Sequence, residues 1–146
     1  MTTHSLLADL LAAPAPFYLC TLSAQTHDEL TRQRQLPVLA INLTGCRDKA
    51  DFLRRTAAAL AFPDWFGHNW DALADCLTDM SWLPADGYLV VLERAMDFCA
   101  ADAAQFNIAL DVFRHAASDQ TARPVRLNVL VDLRYGDEAA AQRPSP

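Results

Sequence analysis

Three carboxylates recur at four-residue spacing near the middle of the chain, on Asp71, Asp75 and Asp79. Residues four apart lie on the same side of an α-helix, so these acidic groups would share one face. Paired carboxylates can exchange protons with a substrate, hold a metal ion together with a histidine, or bind a basic surface. Like charges at this spacing destabilise an isolated helix by about 0.2–0.5 kcal/mol per pair. The array is therefore either retained for a partner or only a solvated surface, and the spacing alone does not decide.

A helix that begins near Asn69 would position these carboxylates. The side chain of Asn69 suits an N-cap because its oxygen can accept a hydrogen bond from a free backbone N–H of the first turn. Asp71 would then lie in that turn, where the positive end of the helix dipole favours a carboxylate. We expect an apolar stripe facing the core at Leu73, Leu77 and Met80. We expect the opposite, outer face to carry Asp71, Asp75, Thr78 and Asp79.

The aromatic residues around this helix fall into two kinds. Because adjacent residues seldom face the same way, we expect Phe66 in the core and Trp65 exposed, where it could anchor a partner. We expect Gly67 to adopt a backbone conformation that other residues resist, and Trp70 to pack against the core. Trp82, in the turn after the helix, could belong to either kind.

Negative charge is confined to one part of the chain. The window between Thr56 and Glu93 contains no Lys or Arg, and its charge of −6 equals that of the whole chain, so the remainder sums to zero. An acidic patch on a neutral body argues against binding nucleic acid, which needs Lys and Arg for the phosphates. It favours a basic protein partner, whose approach the patch would steer.

The rest of the chain alternates strand-like apolar runs with amphipathic segments. The runs lie at residues 17–22, 37–43, 88–92 and 124–132. Strands separated by helices predict an α/β fold with a small three-stranded parallel sheet packed with helices, extended by the N-terminal strand at an edge. The continuous apolar run at 37–43 favours a strand covered on both faces. We divide the chain into an N-terminal extension with a short helix, strand and linker (1–36), a main domain (37–134) and a flexible tail (135–146).

Several classes of protein are disfavoured by what the sequence lacks. The four cysteines are too widely spaced for a zinc pattern, and Cys76, between the two predicted helix faces, is expected to be a buried free thiol. No run approaches the roughly 20 apolar residues of a membrane span, and the N-terminus lacks the pattern of a signal peptide. We therefore expect a cytoplasmic protein without membrane contact.

The run FPDWFGHNWDALADCLTDM, followed by YLVVLE and later by DVFRHAASD, resembles the barstar family of small intracellular inhibitors of barnase-type ribonucleases. The resemblance covers about residues 37–133. It implies three parallel strands with packed helices. It also implies that a helix and its preceding loop plug the active site of the nuclease, with carboxylates standing in for the phosphates of the substrate.

The resemblance also assigns site residues. Asp75 matches the central acidic residue of the family, Asp71 its neighbour one turn earlier, and Trp65 an aromatic of the binding loop. The predicted partner-binding set comprises Asp71, Asp75, Trp65, Asn69, Gly67, Thr78, Asp79, His68, the peripheral Asp119, and His115. The chain departs from the family pattern at Ala74, which replaces a tryptophan, and at His115 and His68, which each replace a glutamate.

Our main hypothesis is an inhibitor or immunity protein that binds the basic active site of a ribonuclease or another toxin, with no metal or cofactor. A non-inhibitory interaction module on the same fold is the alternative. A metal-dependent hydrolase is a third reading, since His68, Asp71 and Asp75 could line one helix face. No second ligand cluster, Gly-rich phosphate loop or nucleophile motif supports an enzyme. The sequence does not predict the oligomeric state.

Overall fold

The computed structural model describes residues 17–20, 37–83, 85, 87–118 and 126–136. Its strands are β1 (Phe17–Cys20), β2 (Val38–Asn42), β3 (Gly87–Glu93) and β4 (Arg126–Asp132). Its helices are α1 (Lys49–Ala59), α2 (Trp70–Asp79), α3 (Met96–Ala101) and α4 (Ala103–Ser118). None of these helices combines the length and apolarity that crossing a membrane requires.

The four strands form one sheet in the order β1-β4-β3-β2, and each neighbouring pair is parallel. The α/β class, the parallel pairing and the edge position of the N-terminal strand are thereby confirmed. The short helix and linker that we predicted within residues 1–36 lie outside the described residues, as does the tail beyond residue 136. The division of the chain into an extension, a main domain and a tail stays a prediction.

The core lies between the helices and one face of the sheet. Side chains alternate along a strand, so every second residue of the two central strands enters this core. They are Tyr88, Val90 and Leu92 from β3 with Leu127, Val129 and Val131 from β4. The ring of Phe52 on α1 packs 5.2 Å from that of Phe98 on α3 and 6.2 Å from that of Phe113 on α4. One aromatic side chain therefore joins three helices.

One strand prediction holds and another is wrong. All residues of β3 up to Leu92 are buried, as its apolar run predicted. In β2 only Ile41 is buried, while Ala40 and Asn42 are exposed. The prediction of a strand covered on both faces is therefore wrong for β2. An apolar run shows only that its residues are apolar. It cannot distinguish a central strand from an edge strand such as β2.

The helix α2 forms as its sequence predicts. The Asn69 side chain accepts a hydrogen bond of 2.7 Å from the backbone N–H of Ala72, so it is the N-cap, and Asp71 lies in the first turn. The inner side of the helix is fully buried at Leu73, Cys76 and Leu77. The helix ends at Met80, whose left-handed backbone (φ 50°) closes the last turn through a hydrogen bond of 3.0 Å to Cys76 O.

Trp70 anchors the first turn of α2 to its neighbours, which confirms its predicted packing role. Its ring lies 5.8 Å from that of Phe52, and its indole N–H donates a hydrogen bond of 3.0 Å to the side-chain oxygen of Gln105 on α4. The ammonium group of Lys49 lies 5.5 Å from the centre of the same ring, within the range of a cation–π contact. The start of α2 is thus tied to both α1 and α4.

Two cysteines, Cys46 and Cys76, are buried and free, as expected for Cys76. Burial raises the pKa of the Cys46 thiol to about 11, and the nearby Asp51 carboxylate adds to this. Burial also raises the pKa of the Cys76 thiol, and the negative charges of Asp75 and Asp79 raise it further. Both thiols are therefore protonated and unreactive near neutral pH.

Removing the N-cap should destabilise the protein without changing its fold. We expect Asn69→Ala to lower the free energy of unfolding by about 1 kcal/mol, because the backbone N–H of Ala72 loses its partner. Urea denaturation followed by circular dichroism measures this change. Asn69→Ser is the matched control, since serine also caps helices and should stay within a few tenths of a kcal/mol of the wild type. Equal losses in the two variants would contradict the capping role.

The buried thiols should resist alkylation in the folded protein. In a variant with Cys20 and Cys99 replaced by serine, we expect iodoacetamide at about pH 8 to label Cys46 about 100-fold more slowly than in urea, because its raised pKa depletes the thiolate. Cys76 should also be protected, because its side chain is buried. Mass spectrometry of timed samples measures both rates. Equal rates with and without urea would show that the thiols are accessible in the folded state.

Candidate functional site

The outer side of α2 carries three exposed carboxylates, on Asp71, Asp75 and Asp79, which we call the acidic surface. No hydrogen bond or ion pair to these side chains occurs within the described residues. Asp64, in the loop before the helix, is exposed in the same way. Thr78 lies exposed among them, and its hydroxyl donates a hydrogen bond of 2.8 Å to Ala74 O. The predicted outer face of α2 is therefore confirmed as a solvent-facing surface.

The other acidic side chains of the described part differ in that each has a partner. Asp48 and Asp102 accept hydrogen bonds from the backbone N–H groups of Asp51 and Gln105. Further partners are Arg54 and Arg55 for Asp51, Gly45 N–H for Asp97, Arg114 for Asp111 and Arg134 for Asp132. Glu93 also takes part in an interaction. Within the described part, unpartnered carboxylates are confined to the 64–79 segment.

Asp132 is a carboxylate whose charge is neutralised by a neighbouring residue, Arg134. Asp132 is completely buried and accepts hydrogen bonds from the Arg134 guanidinium at 2.9 and 3.0 Å and from the backbone N–H of Arg94 at 3.1 Å. At Asp51, burial raises the pKa, but hydrogen bonds from Arg55 and Arg54 outweigh this and leave the pKa below its usual value. The acidic surface of α2 receives no such compensation from the described residues.

The position of Asp79 in α2 adds to the unfavourable electrostatics. Asp79 occupies the last turn, where the helix dipole disfavours negative charge, and that turn contains no basic residue. The four-residue spacing of Asp71, Asp75 and Asp79 adds repulsion between neighbours. The raised pKa of the Cys76 thiol beneath them is partly due to the same negative charge. The helix therefore maintains a locally negative potential that a cation from another molecule could neutralise.

The loop before α2 is held by aromatic rings that pack tilted or edge-on against one another. The Phe62 ring lies 4.9 Å from Phe66 and 5.7 Å from Trp82, whose indole N–H donates a hydrogen bond of 3.0 Å to Leu60 O. Trp65 packs edge-on against Trp82 at 6.2 Å, and it remains 60% exposed. Phe66 is 5% exposed. The predicted burial of Phe66 and exposure of Trp65 are therefore confirmed, and Trp82 is a supporting residue beneath Trp65.

The strained backbone in this loop lies one residue away from where we expected it. The left-handed conformation is at His68 (φ 55°), and Gly67 has no positive φ. Gly67 instead closely approaches the side chain of Asn69. A Cβ there would lie 3.3 Å from the side-chain nitrogen of Asn69, which donates to Gly67 O. The His68 ring, 4.7 Å from the ring of Phe66, is exposed beside the helix start.

A groove lies between α2 and α4, and no pattern in the sequence predicts it. This groove, about 360 Å³ in volume, is lined by Ala74, Thr78, Ile108, Asp111, Val112, His115 and Ala116. The two helices meet along it although they are far apart in sequence, so only the folded chain reveals it. His115, predicted from the family resemblance, is exposed on its α4 side. Asp119, the remaining predicted residue, lies outside the described residues.

A second depression, of about 460 Å³, lies away from α2 and is lined by Thr44, Gly45, Arg47, Asp97, Ala100 and Ala101. The carboxylate of Asp97 is already engaged there, since it accepts a hydrogen bond of 2.7 Å from the backbone N–H of Gly45. In the parts of the chain that the structure describes, no three His, Cys, Asp or Glu side chains are grouped closely enough to hold a metal ion. The concentration of unpaired charge singles out α2 and its loop as the candidate site.

Comparison with known proteins agrees with the resemblance noted from the sequence. No curated protein matches the chain. A family model described as Barstar (barnase inhibitor) matches residues 36–132. The matched region runs from the start of β2 to the end of β4, and it contains the acidic surface, the aromatic loop and the groove. The chain therefore belongs to the barstar family.

Proposed function

We propose that this protein inhibits a ribonuclease or related toxin by inserting the acidic surface of α2 and the Trp65 loop into the basic active site of that enzyme. The membership of a family described as a barnase inhibitor supports the protein-inhibitor class. The observation that carries the proposal is that, among the described residues, unpartnered carboxylates are confined to the 64–79 segment. A fold that pairs its other described acidic groups, yet leaves these exposed, retains them at a cost that binding to a cation would recover.

Binding by this surface would follow from charge and rigidity. The negative window steers a basic partner toward α2, which raises the association rate at low salt. Asp75 and Asp71 then accept hydrogen bonds from the cations that hold the phosphates of the substrate, ideally from the planar fork of an arginine. Because α2 is capped and its inner side is buried, little conformational entropy is lost when the surface docks.

Trp65 would provide the apolar part of the contact. Its indole is mostly exposed but is supported from below by Trp82, so it projects from a rigid base. Tryptophans in this setting are frequent hot spots, because they bury a large area with few rotatable bonds. The proposed interface thus has a charged centre on α2 and an aromatic contact on the loop.

The two predicted acidic positions should differ in how they affect a complex. We expect Asp75→Asn to weaken binding to a barnase-type ribonuclease by about 2–5 kcal/mol, the range for a buried charged hydrogen bond, to which the barnase–barstar pair itself contributed measurements. Asp119→Asn removes the same charge at the predicted periphery and should cost less than about 1 kcal/mol. Isothermal titration calorimetry at low salt, with the unfolding midpoints as a folding control, measures both. Equal small losses would contradict the central role of Asp75.

The alternative of a non-inhibitory interaction module is favoured by the contact residues that depart from the family pattern, Ala74 and His115. A ribonuclease assay separates the two readings. An inhibitor should abolish cleavage of RNA at a 1:1 ratio, and the inhibition should weaken as salt rises, because exposed charges are screened. A salt-sensitive complex in which the nuclease remains fully active would support the module instead.

A further inference from the structure

The groove between α2 and α4 lies directly beside the acidic surface. Ala74 and Thr78, four residues apart, form its α2 wall, and each neighbours an exposed carboxylate at the next position, Asp75 and Asp79. Asp71 lies three residues before Ala74 and therefore on the adjoining part of the same helix surface. A molecule that contacts these carboxylates also meets the mouth of the groove.

The α4 wall of the groove is mainly apolar. Ile108, Val112 and Ala116 follow each other at four-residue spacing along α4, and Ile108 is 37% exposed. Asp111 and His115 stand on the same helix beside them, and the Asp111 carboxylate is paired with Arg114 at 2.6 Å. The wall thus offers aliphatic contacts with a polar margin, and it contributes little net charge of its own.

Ala74 keeps the groove open. Its methyl group is the smaller of the two side chains on the α2 wall, and along the helix it lies between Asp71 and Thr78. The volume of about 360 Å³ is at the lower end of the range of roughly 300–1,000 Å³ typical of small-molecule pockets. A cavity of this size suits one large side chain.

We propose that this groove receives an aromatic side chain of the partner, and that the partner flanks this side chain with Arg or Lys. The negative charges of Asp71, Asp75 and Asp79 complement basic flanking residues of the partner. The aliphatic walls of the groove complement an aromatic ring between those residues. This inference rests on the proposed function, because it describes a surface feature of the enzyme that the protein would inhibit. The groove thereby determines which basic active sites this protein accepts.

Short peptides test the chemistry of the groove without the natural partner. The probe is acetyl-Arg-Trp-Arg-amide, compared with acetyl-Arg-Ala-Arg-amide and acetyl-Glu-Trp-Glu-amide, and binding is followed by backbone amide NMR shifts of the full chain. We expect the Arg-Trp-Arg peptide to bind about tenfold more tightly than either comparison peptide, because only it satisfies both the apolar walls and the charge. Its shifts should centre on Ala74, Thr78, Ile108 and Val112.

Filling the groove provides the matched variant. Ala74→Trp should reduce the affinity for the Arg-Trp-Arg peptide to that of Arg-Ala-Arg, because the new indole occupies the space. Ala58→Trp, at an exposed position on α1, adds the same side chain outside the groove and should leave the affinity unchanged. The comparison of the peptides on the wild-type chain decides the matter even if Ala74→Trp does not fold.

Three outcomes would overturn the inference. They are equal affinities for the Arg-Trp-Arg and Arg-Ala-Arg peptides, shifts that centre away from the groove, and self-association of the wild-type chain that Ala74→Trp abolishes, which would make the groove an interface between two copies. Failure of the proposed function gives a different result. The ribonuclease would then remain uninhibited while the Trp-dependent binding of the peptide persisted. Conversely, an inhibitory complex that depends on Asp75, with no preference for Trp in the peptide, would remove only this inference.

Discussion

The packing of the inner side of α2 against the core is the contact on which the rest of the candidate site depends. Leu73, Cys76 and Leu77 are fully buried, and their spacing fixes the rotation of the helix about its own axis. Once that rotation is fixed, Asp71, Asp75 and Asp79 can only face solvent. The hydrophobic effect thus holds in place an array of charges that repel one another. The capped N-terminus at Asn69 fixes where that array begins.

The electrostatics of the described part of the protein are divided between two regions. At the carboxyl ends of β2 and β4, carboxylates and carbonyls are matched with arginines, as in the contacts of Arg55 with Asn42 O and Thr44 O and of Arg134 with Asp132. On α2 the charges are unmatched. Matched groups stabilise the fold and offer little to a partner, whereas the unmatched groups have no counter-charge until a partner supplies one. This division separates the part of the molecule that maintains the sheet from the part available for recognition.

Much of this arrangement could be predicted from the sequence because it depends on the spacing of residues that are close together in the chain. The N-cap at Asn69, the opposite faces of α2 and the different fates of Phe66 and Trp65 all follow from spacing or from neighbouring residues. Features that depend on distant segments could not be predicted in this way. The exposure of Ala40 in β2 depends on strand order, and the groove depends on how α4 lies beside α2. The left-handed backbone at His68 escaped prediction because the adjacent glycine is the residue that usually adopts it.

The hydrogen bond between Trp70 and Gln105 joins α2 and α4 one helical turn before Ala74 on the first helix and one turn before Ile108 on the second. A clamp that does not involve residue 74 therefore helps to hold the two helices at their spacing. The clamp can stay unchanged when the side chain at position 74 is replaced. In the proposed interface, one substitution at position 74 would therefore change which partner side chains fit, while the frame of the two helices stays the same.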